Sequence, residues 1–221
     1  MKIRSAAALL LLTVLLSTFL SSCGMFDEAA SLIGLDTYDY MAEEITAPVE
    51  KDSEIWKTLE KMLPMLTVNS ARLAEFDGSA EAHRLCADSL LNYMLDTSFE
   101  KYAGNKKMLD AVLELYPGES IIAVIPKDEY ETAMYTYFGG SVKISHGDTE
   151  LFRYLEDAEV YVPAVGPIES GITAEITDAD ETEHSYRVIF TASDGDNIMN
   201  YFALIIKRED GTLYFKALIQ E

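Results

Sequence analysis

The sequence predicts an α+β fold, with N-terminal helices packed on a curved antiparallel β-sheet that ends in a four-stranded meander. Three observations predict it. Apolar residues recur at helical spacing between Ser53 and Phe138, they alternate with polar residues from about residue 140 onward, and turn-rich stretches separate the alternating runs. Helices first and strands last is the order of an α+β domain, not of a chain in which the two alternate.

Each element has a local reason. Ser53 suits a helix N-cap, and Ile55, Trp56, Leu59, Met62 and Leu63 keep the helical period as far as Pro64. Turn chemistry at Asp77-Gly78 closes a connector, a second helix is expected over about 80–95, and a third over about 106–115, stopped by Pro117-Gly118. "SIIAVIP" reads as a short buried strand. "KDEYETAMYTYFGG" reads as a helix with Tyr130, Met134, Tyr137 and Phe138 on one face and Gly139 at its end. "SVKISH" and "AEVYVPAVG" read as short strands. "GITAEIT", "HSYRVIFTA", "NIMNYFALIIK" and "TLYFKALIQ" read as the meander, with Asp210-Gly211 as a hairpin turn.

The first 22 residues stand apart. Lys2 and Arg4 precede an apolar run from Ala6 to Leu20, which is diluted by Ser17, Thr18, Ser21 and Ser22. A membrane span needs roughly 20 apolar residues, so the run reads as an export signal. Leu20-Ser21-Ser22-Cys23 resembles the bacterial lipobox. That resemblance implies cleavage before Cys23, a diacylglycerol on its thiol, and a lipid-anchored protein on the extracytoplasmic face of the cell membrane. The expected organisation is a lipoprotein signal peptide at 1–22, a lipidated tether at 23–50 and a single α+β domain at 51–221.

Charge narrows the partners. The chain carries 17 basic and 38 acidic residues. Removing residues 1–22 takes away Lys2 and Arg4 but no acid, which leaves a still more acidic protein. Phosphate backbones and anionic headgroups are repelled, so nucleic acid is excluded as a partner and membrane attachment falls to the lipid at Cys23. With Cys23 modified, Cys86 is the remaining thiol. His83 and Cys86 would share a helix face, but acidic neighbours Glu81 and Asp88 argue for a packed thiol and a surface histidine, not a catalytic pair.

No metalloprotease, P-loop or nucleophile-elbow motif occurs, and "SFEK" lacks the partners that would give an S-x-x-K match meaning. The sequence therefore assigns no catalytic residue and no cofactor. Acidic residues cluster instead. Asp178, Asp180, Glu181 and Glu183 are expected in the first meander turn, Asp194, Asp196 and Asn197 in the second, and Glu209 and Asp210 in the third. Alternate turns lie at one end of a meander, so calcium between the first and third is the one metal to consider, although "DADETEH" lacks the glycine of a calcium loop. Candidate ligand contacts are Tyr161 in the "YVPAVGP" stretch, Asp178, Asp180 and Glu183.

The blocks "LAEFD", "IPKDEYETAMYTYFGG" and "YVPAVG" resemble acidic surface lipoproteins of Gram-positive anaerobes, and the order of elements is similar to cystatin-like and NTF2-like folds. Neither resemblance implies an activity. Two functions are expected from the sequence. The first is a non-catalytic, membrane-anchored module that binds an envelope protein or glycan and inhibits or regulates an envelope enzyme, for instance by plugging a basic cleft. The alternative is a small envelope hydrolase or transferase working through carboxylates among Glu175, Asp178 and Glu183.

Overall fold

The computed structural model describes residues 38–67, 73–164 and 172–221. Cys23, the expected signal peptide and the first part of the expected tether lie outside the described residues, as does the end of the "YVPAVGP" stretch. The fold is α+β, with two antiparallel sheets. The larger has the order β1-β5-β6-β7-β8, from β1 (Ala47–Pro48), β5 (Thr173–Glu181), β6 (Ser185–Ser193), β7 (Ile198–Lys207) and β8 (Leu213–Gln220). Its last four strands are the expected meander. The smaller has the order β2-β4-β3, from β2 (Ile125–Pro126), β3 (Phe152–Leu155) and β4 (Val160–Pro163).

Strand period decides which face of the meander is covered. Tyr186, Val188 and Phe190 on β6, Tyr201, Ala203 and Ile205 on β7, and Phe215 and Leu218 on β8 are buried in one core. Register shifts after Ile176 and Leu204 interrupt the pairing, and such bulges bend a sheet and increase its twist.

The roof over that face is helical. Helix α1 (Glu54–Met62) starts as expected, with Ser53 Oγ accepting from the Trp56 amide at 3.1 Å. It buries Trp56, Leu59 and Met62, and the Trp56 indole donates to Glu60 Oε1 at 2.8 Å. Helix α2 (Ser79–Thr97) contributes Leu90, Leu91, Met94 and Leu95. Helix α5 (Lys127–Phe138) contributes Tyr130, Met134 and Phe138, and Phe138 meets Phe76 and Phe215 at ring-centroid distances of 5.9 and 6.0 Å. Helix α4 (Lys106–Leu115) packs through Val112 on a smaller cluster with Val124 and with Leu155, Val160 and Val162 of the second sheet. Short α3 (Phe99–Gly104) joins α2 to α4.

Three local readings need correction. "SIIAVIP" yields only the two-residue β2, because the backbone ahead of it is irregular and Val124 N donates to the carbonyl of Tyr102 at the end of α3. "SVKISH" forms no strand: the Ser145 carbonyl is held by His83 of α2 and the His146 ring by Glu131 of α5. Asp178, Asp180 and Glu181 belong to β5 itself, so the first turn is confined to residues 182–184.

Residues 38–49, read as tether, form a strap on the sheet. β1 pairs with β5, flanked by hydrogen bonds from Thr46 N to Glu181 O and from Val49 N to Ala179 O, both 2.8 Å. Ahead of β1, Arg187 Nη2 donates to the carbonyls of Tyr40, Met41 and Glu43 at 3.3, 2.9 and 2.7 Å. Tyr40 is buried with Leu204, Ile206 and Ala217, on the opposite face of the sheet from the helices. The Glu43 carboxylate accepts from the Thr182 hydroxyl, from His184 Nδ1 at 2.6 Å, from the Tyr38 hydroxyl at 2.9 Å and from the His184 amide at 3.3 Å. Burial alone raises its pKa, but the bonds from Thr182, His184 and Tyr38 outweigh burial and hold the carboxyl at about 2, below its ordinary 4.5.

That depressed value has a sign. Between pH 4.5 and 2 the unfolded chain binds the proton that folded Glu43 refuses, so the stabilisation is complete above about 4.5 and fades as pH falls toward 2. E43Q is expected to lower stability at pH 7 by about 1–3 kcal/mol in urea unfolding, with the gap to wild type narrowing across that window. Gly139 gives a second prediction. It ends α5 at φ +83° and ψ 166°, and an added Cβ would lie 2.8 Å from Cε2 of the Tyr214 ring. Gly211 has a similar φ of +82° with nothing within 4 Å. G139A is therefore expected to cost about 2–4 kcal/mol and G211A about 1, from strain plus overpacking against strain alone.

Candidate functional site

Two concavities flank α2 and α5. The first is a groove of about 510 Å³ between α2–α3 and α5, lined by Tyr93, Thr97, Lys101, Glu129, Thr132 and Tyr137 among others. Tyr93 and Tyr137 stand edge to face at 6.2 Å. The hydroxyls of Thr97 and Thr132 bond back to the carbonyls of Tyr93 and Asp128, each at 2.7 Å, so their methyl groups are the uncommitted ends. Lys101 Nζ meets Glu129 Oε2 at 2.5 Å, and the Tyr102 hydroxyl donates to the same oxygen at 3.0 Å. Burial, followed by the bond to Glu129, holds the Tyr102 phenol in its neutral form far above the usual range.

The second concavity, of about 450 Å³, lies between α2 and residues 143–150. Behind it stands a ring cluster made by α2, α5 and the small sheet. His83 Nδ1 is 2.8 Å from the Tyr130 hydroxyl and its Nε2 is 2.5 Å from the Ser145 carbonyl. A carbonyl only accepts, so Nε2 carries the proton and Nδ1 accepts from Tyr130. Burial lowers the His83 pKa; the Ser145 carbonyl opposes this and the nearby His146 adds to the lowering.

His146 is engaged on both sides, with Nε2 at 2.8 Å from Glu131 Oε1 and Nδ1 at 3.0 Å from the Tyr161 hydroxyl. Its ring stacks on Tyr154 at 5.1 Å, and Tyr161 sits 4.9 Å from both Tyr130 and Tyr154. Burial raises the Tyr161 phenol to about 12, opposed by a bond from the Gly147 amide. Asp88 fixes the far end of the same segment, accepting from the Thr149 hydroxyl, Leu151 N at 2.9 Å and Glu150 N at 3.1 Å.

The residues singled out from sequence fall in different places. Tyr161 is 1 % exposed on β4, a core ring of this cluster and not a surface anchor. Asp178 is exposed on β5, where its carboxylate caps the Ala179 amide at 3.0 Å. Asp180 is half-buried opposite Arg187, Glu183 is exposed in the first turn, and Glu175 is exposed on β5. None of these four acids lines either concavity. The first and third turns do approach each other, since Lys207 N donates to His184 O at 2.9 Å. There the Lys207 ammonium contacts Glu181 Oε1 at 2.7 Å and the Thr182 carbonyl at 2.6 Å, and lies 4.7 Å from the Tyr186 ring centroid. Among the described residues no group of three or more His, Cys, Asp or Glu is arranged to hold a metal.

His83, expected near the surface, is 9 % exposed. Cys86 is 4 % exposed, and burial pushes its thiol up to about 12. Sequence reasoning missed Glu43, Glu131 and His146. Apart from the Tyr38–Glu43 bond, five positions apart, their hydrogen-bond partners lie 15 to 142 positions away, and the motif nearest to a signal was only a histidine beside a glycine in "SHGD".

A scan against protein-family models finds no match, and searches of the curated proteins and of the solved structures find none either.

The thiol offers a direct check. Native protein at pH 8 is expected to resist thiol-labelling reagents at Cys86 and to react fully once unfolded in urea, because the reactive thiolate is absent and the sulfur is enclosed. Rapid labelling of the folded chain at that position would overturn this assignment.

Proposed function

We propose that this chain is a non-catalytic binding module, anchored to the outer side of the cell membrane through a lipid on Cys23 and engaging an envelope protein or glycan, with regulation of an envelope enzyme as the outcome. The observation that carries this reading is the groove between α2–α3 and α5. It presents the two tyrosine rings, threonine methyls and one Lys101–Glu129 pair on rigid helices, a combination of apolar faces and sparse polar groups that suits recognition. By contrast, the groups best suited to bond chemistry are committed to the fold. Both nitrogens of His83 and His146 are bonded and the Cys86 thiol is buried and protonated. The carboxylates considered for a hydrolase, Glu175, Asp178 and Glu183, lie outside both concavities, which favours the binding reading over the hydrolytic one.

The strap supports the same reading. Only 15 positions separate Cys23 from Tyr38, where the described structure begins, and at about 3.4 Å per residue they reach at most about 50 Å. The domain therefore stays close to the bilayer and meets partners in that layer. The acidic surface selects against nucleic acid and favours a basic partner.

The test uses the full-length chain immobilised beside a Y93A/Y137A variant and exposed to envelope extracts at moderate salt, with retained material identified by mass spectrometry. The expected result is one component retained by wild type and depleted at least about tenfold on the variant, whose unfolding curve confirms that it folds. Equal retention by both proteins removes the groove from the reading. Retention by neither removes the binding module.

A further inference from the structure

Cations are scarce in this chain, and seven of them are committed. Lys57, Lys101, Lys127, Arg153 and Lys207 form ion pairs, while Arg187 and Arg208 donate to backbone carbonyls. Arg84 on α2 and Lys143 on the facing segment are different. Both are exposed, neither makes an ion pair among the described residues, and both line the 450 Å³ cavity. That volume falls within the roughly 300–1,000 Å³ of small-molecule sites.

The carboxylates on the same lining are not equivalent. Asp88 is saturated by the Thr149 hydroxyl and two amides, and Asp148 Oδ1 accepts from Tyr154 N at 2.8 Å. The Glu150 carboxylate is exposed and makes no ion pair among the described residues. The cavity thus holds two cations outside any ion pair and one carboxylate, Glu150, that accepts no hydrogen bond among the described residues, while Asp88 and Asp148 keep their negative charge and are held by hydrogen bonds. A simple anion would face Glu150, and a simple cation would face Arg84 and Lys143. A molecule carrying both charges meets each with its opposite.

We propose that the cavity between α2 and residues 143–150 binds a zwitterionic ligand, an amino acid or a short peptide with both termini free. Arg84 and Lys143 take its carboxylate and Glu150 its ammonium. Guanidinium is suited to paired bonds with a carboxylate, and lysine adds a point charge. The back wall is pre-organised, because His83, Asp88 and His146 fix the segment carrying Lys143 and Glu150 before any ligand arrives. This site is separate from the tyrosine groove, and the proposal stands or falls independently of the partner assigned there.

The experiment is a titration of ¹⁵N-labelled full-length protein with Ala-Ala, followed by amide shifts. Parallel arms use free alanine, N-acetyl-Ala-Ala, which lacks the ammonium, and Ala-Ala-amide, which lacks the carboxylate. Saturable shifts confined to residues 83–88 and 143–150 are expected, with each blocked peptide weaker by about tenfold or more, the loss of one charge-assisted contact. R84Q/K143Q should weaken Ala-Ala about tenfold or more, and E150Q should weaken Ala-Ala while leaving N-acetyl-Ala-Ala unchanged. Tighter binding of alanine than of Ala-Ala assigns the site to free amino acids, and the reverse assigns it to short peptides with both termini free. No saturable shift, equal affinity for blocked and unblocked peptides, or binding that ignores the substitutions in variants whose other amide shifts are unchanged would overturn the proposal.

Discussion

Tyr186, Val188, Phe190, Tyr201, Ile205 and Phe215 point to one side of the meander, and burying that side is the constraint on which the rest of the molecule depends. At roughly 25 cal/mol per Å² of apolar surface, a sheet face of this composition is the largest single source of stabilisation available to the chain. Helices α1, α2 and α5 cover it, and their lengths and capping follow from that task. Helix α4 packs on the small sheet through a second cluster, and the two concavities lie beside α2, one toward α5 and one toward residues 143–150.

A second theme is the use of carboxylates as acceptors for backbone amides. Asp39, Asp88, Asp148, Asp194 and Asp210 each take amide protons at turns or segment ends, and Glu75 takes that of Gln220 beside β8. Irregular backbone is costly to leave unpaired, and a short charged side chain is an effective local partner. Part of the acidity that looks like surface charge in the composition is therefore structural. It explains how residues 143–151 hold their course without pairing into a sheet.

Legibility in the sequence tracked the range of the interactions. The meander, the Ser53 cap, α4 and α5 were readable because period and capping are encoded within a few residues. "SVKISH" alternates like a strand, yet its partners are His83 and Glu131 side chains, which no local pattern announces. The strap was read as tether because its value lies in Arg187 and the 182–184 turn, well over a hundred positions downstream. Tyr161 was marked as a candidate ligand contact, but strand alternation only places a tyrosine on a face and does not say that three other rings enclose it. The acids Asp178, Asp180 and Glu183 were visible as a cluster, but strand and turn geometry disperses them.

The order of contacts along the strap sets a load path. Any pull applied to the chain ahead of Tyr38 reaches the guanidinium of Arg187 and the carboxylate of Glu43 before it reaches the β1–β5 hydrogen bonds. Those contacts converge on the β5–β6 turn and the strand that follows it, so tension is shared among several bonds that must break nearly together. The strap acts as a strain relief. Agitation that arrives through the chain ahead of Tyr38 is absorbed at the margin of the domain, and the meander and its helical roof are spared.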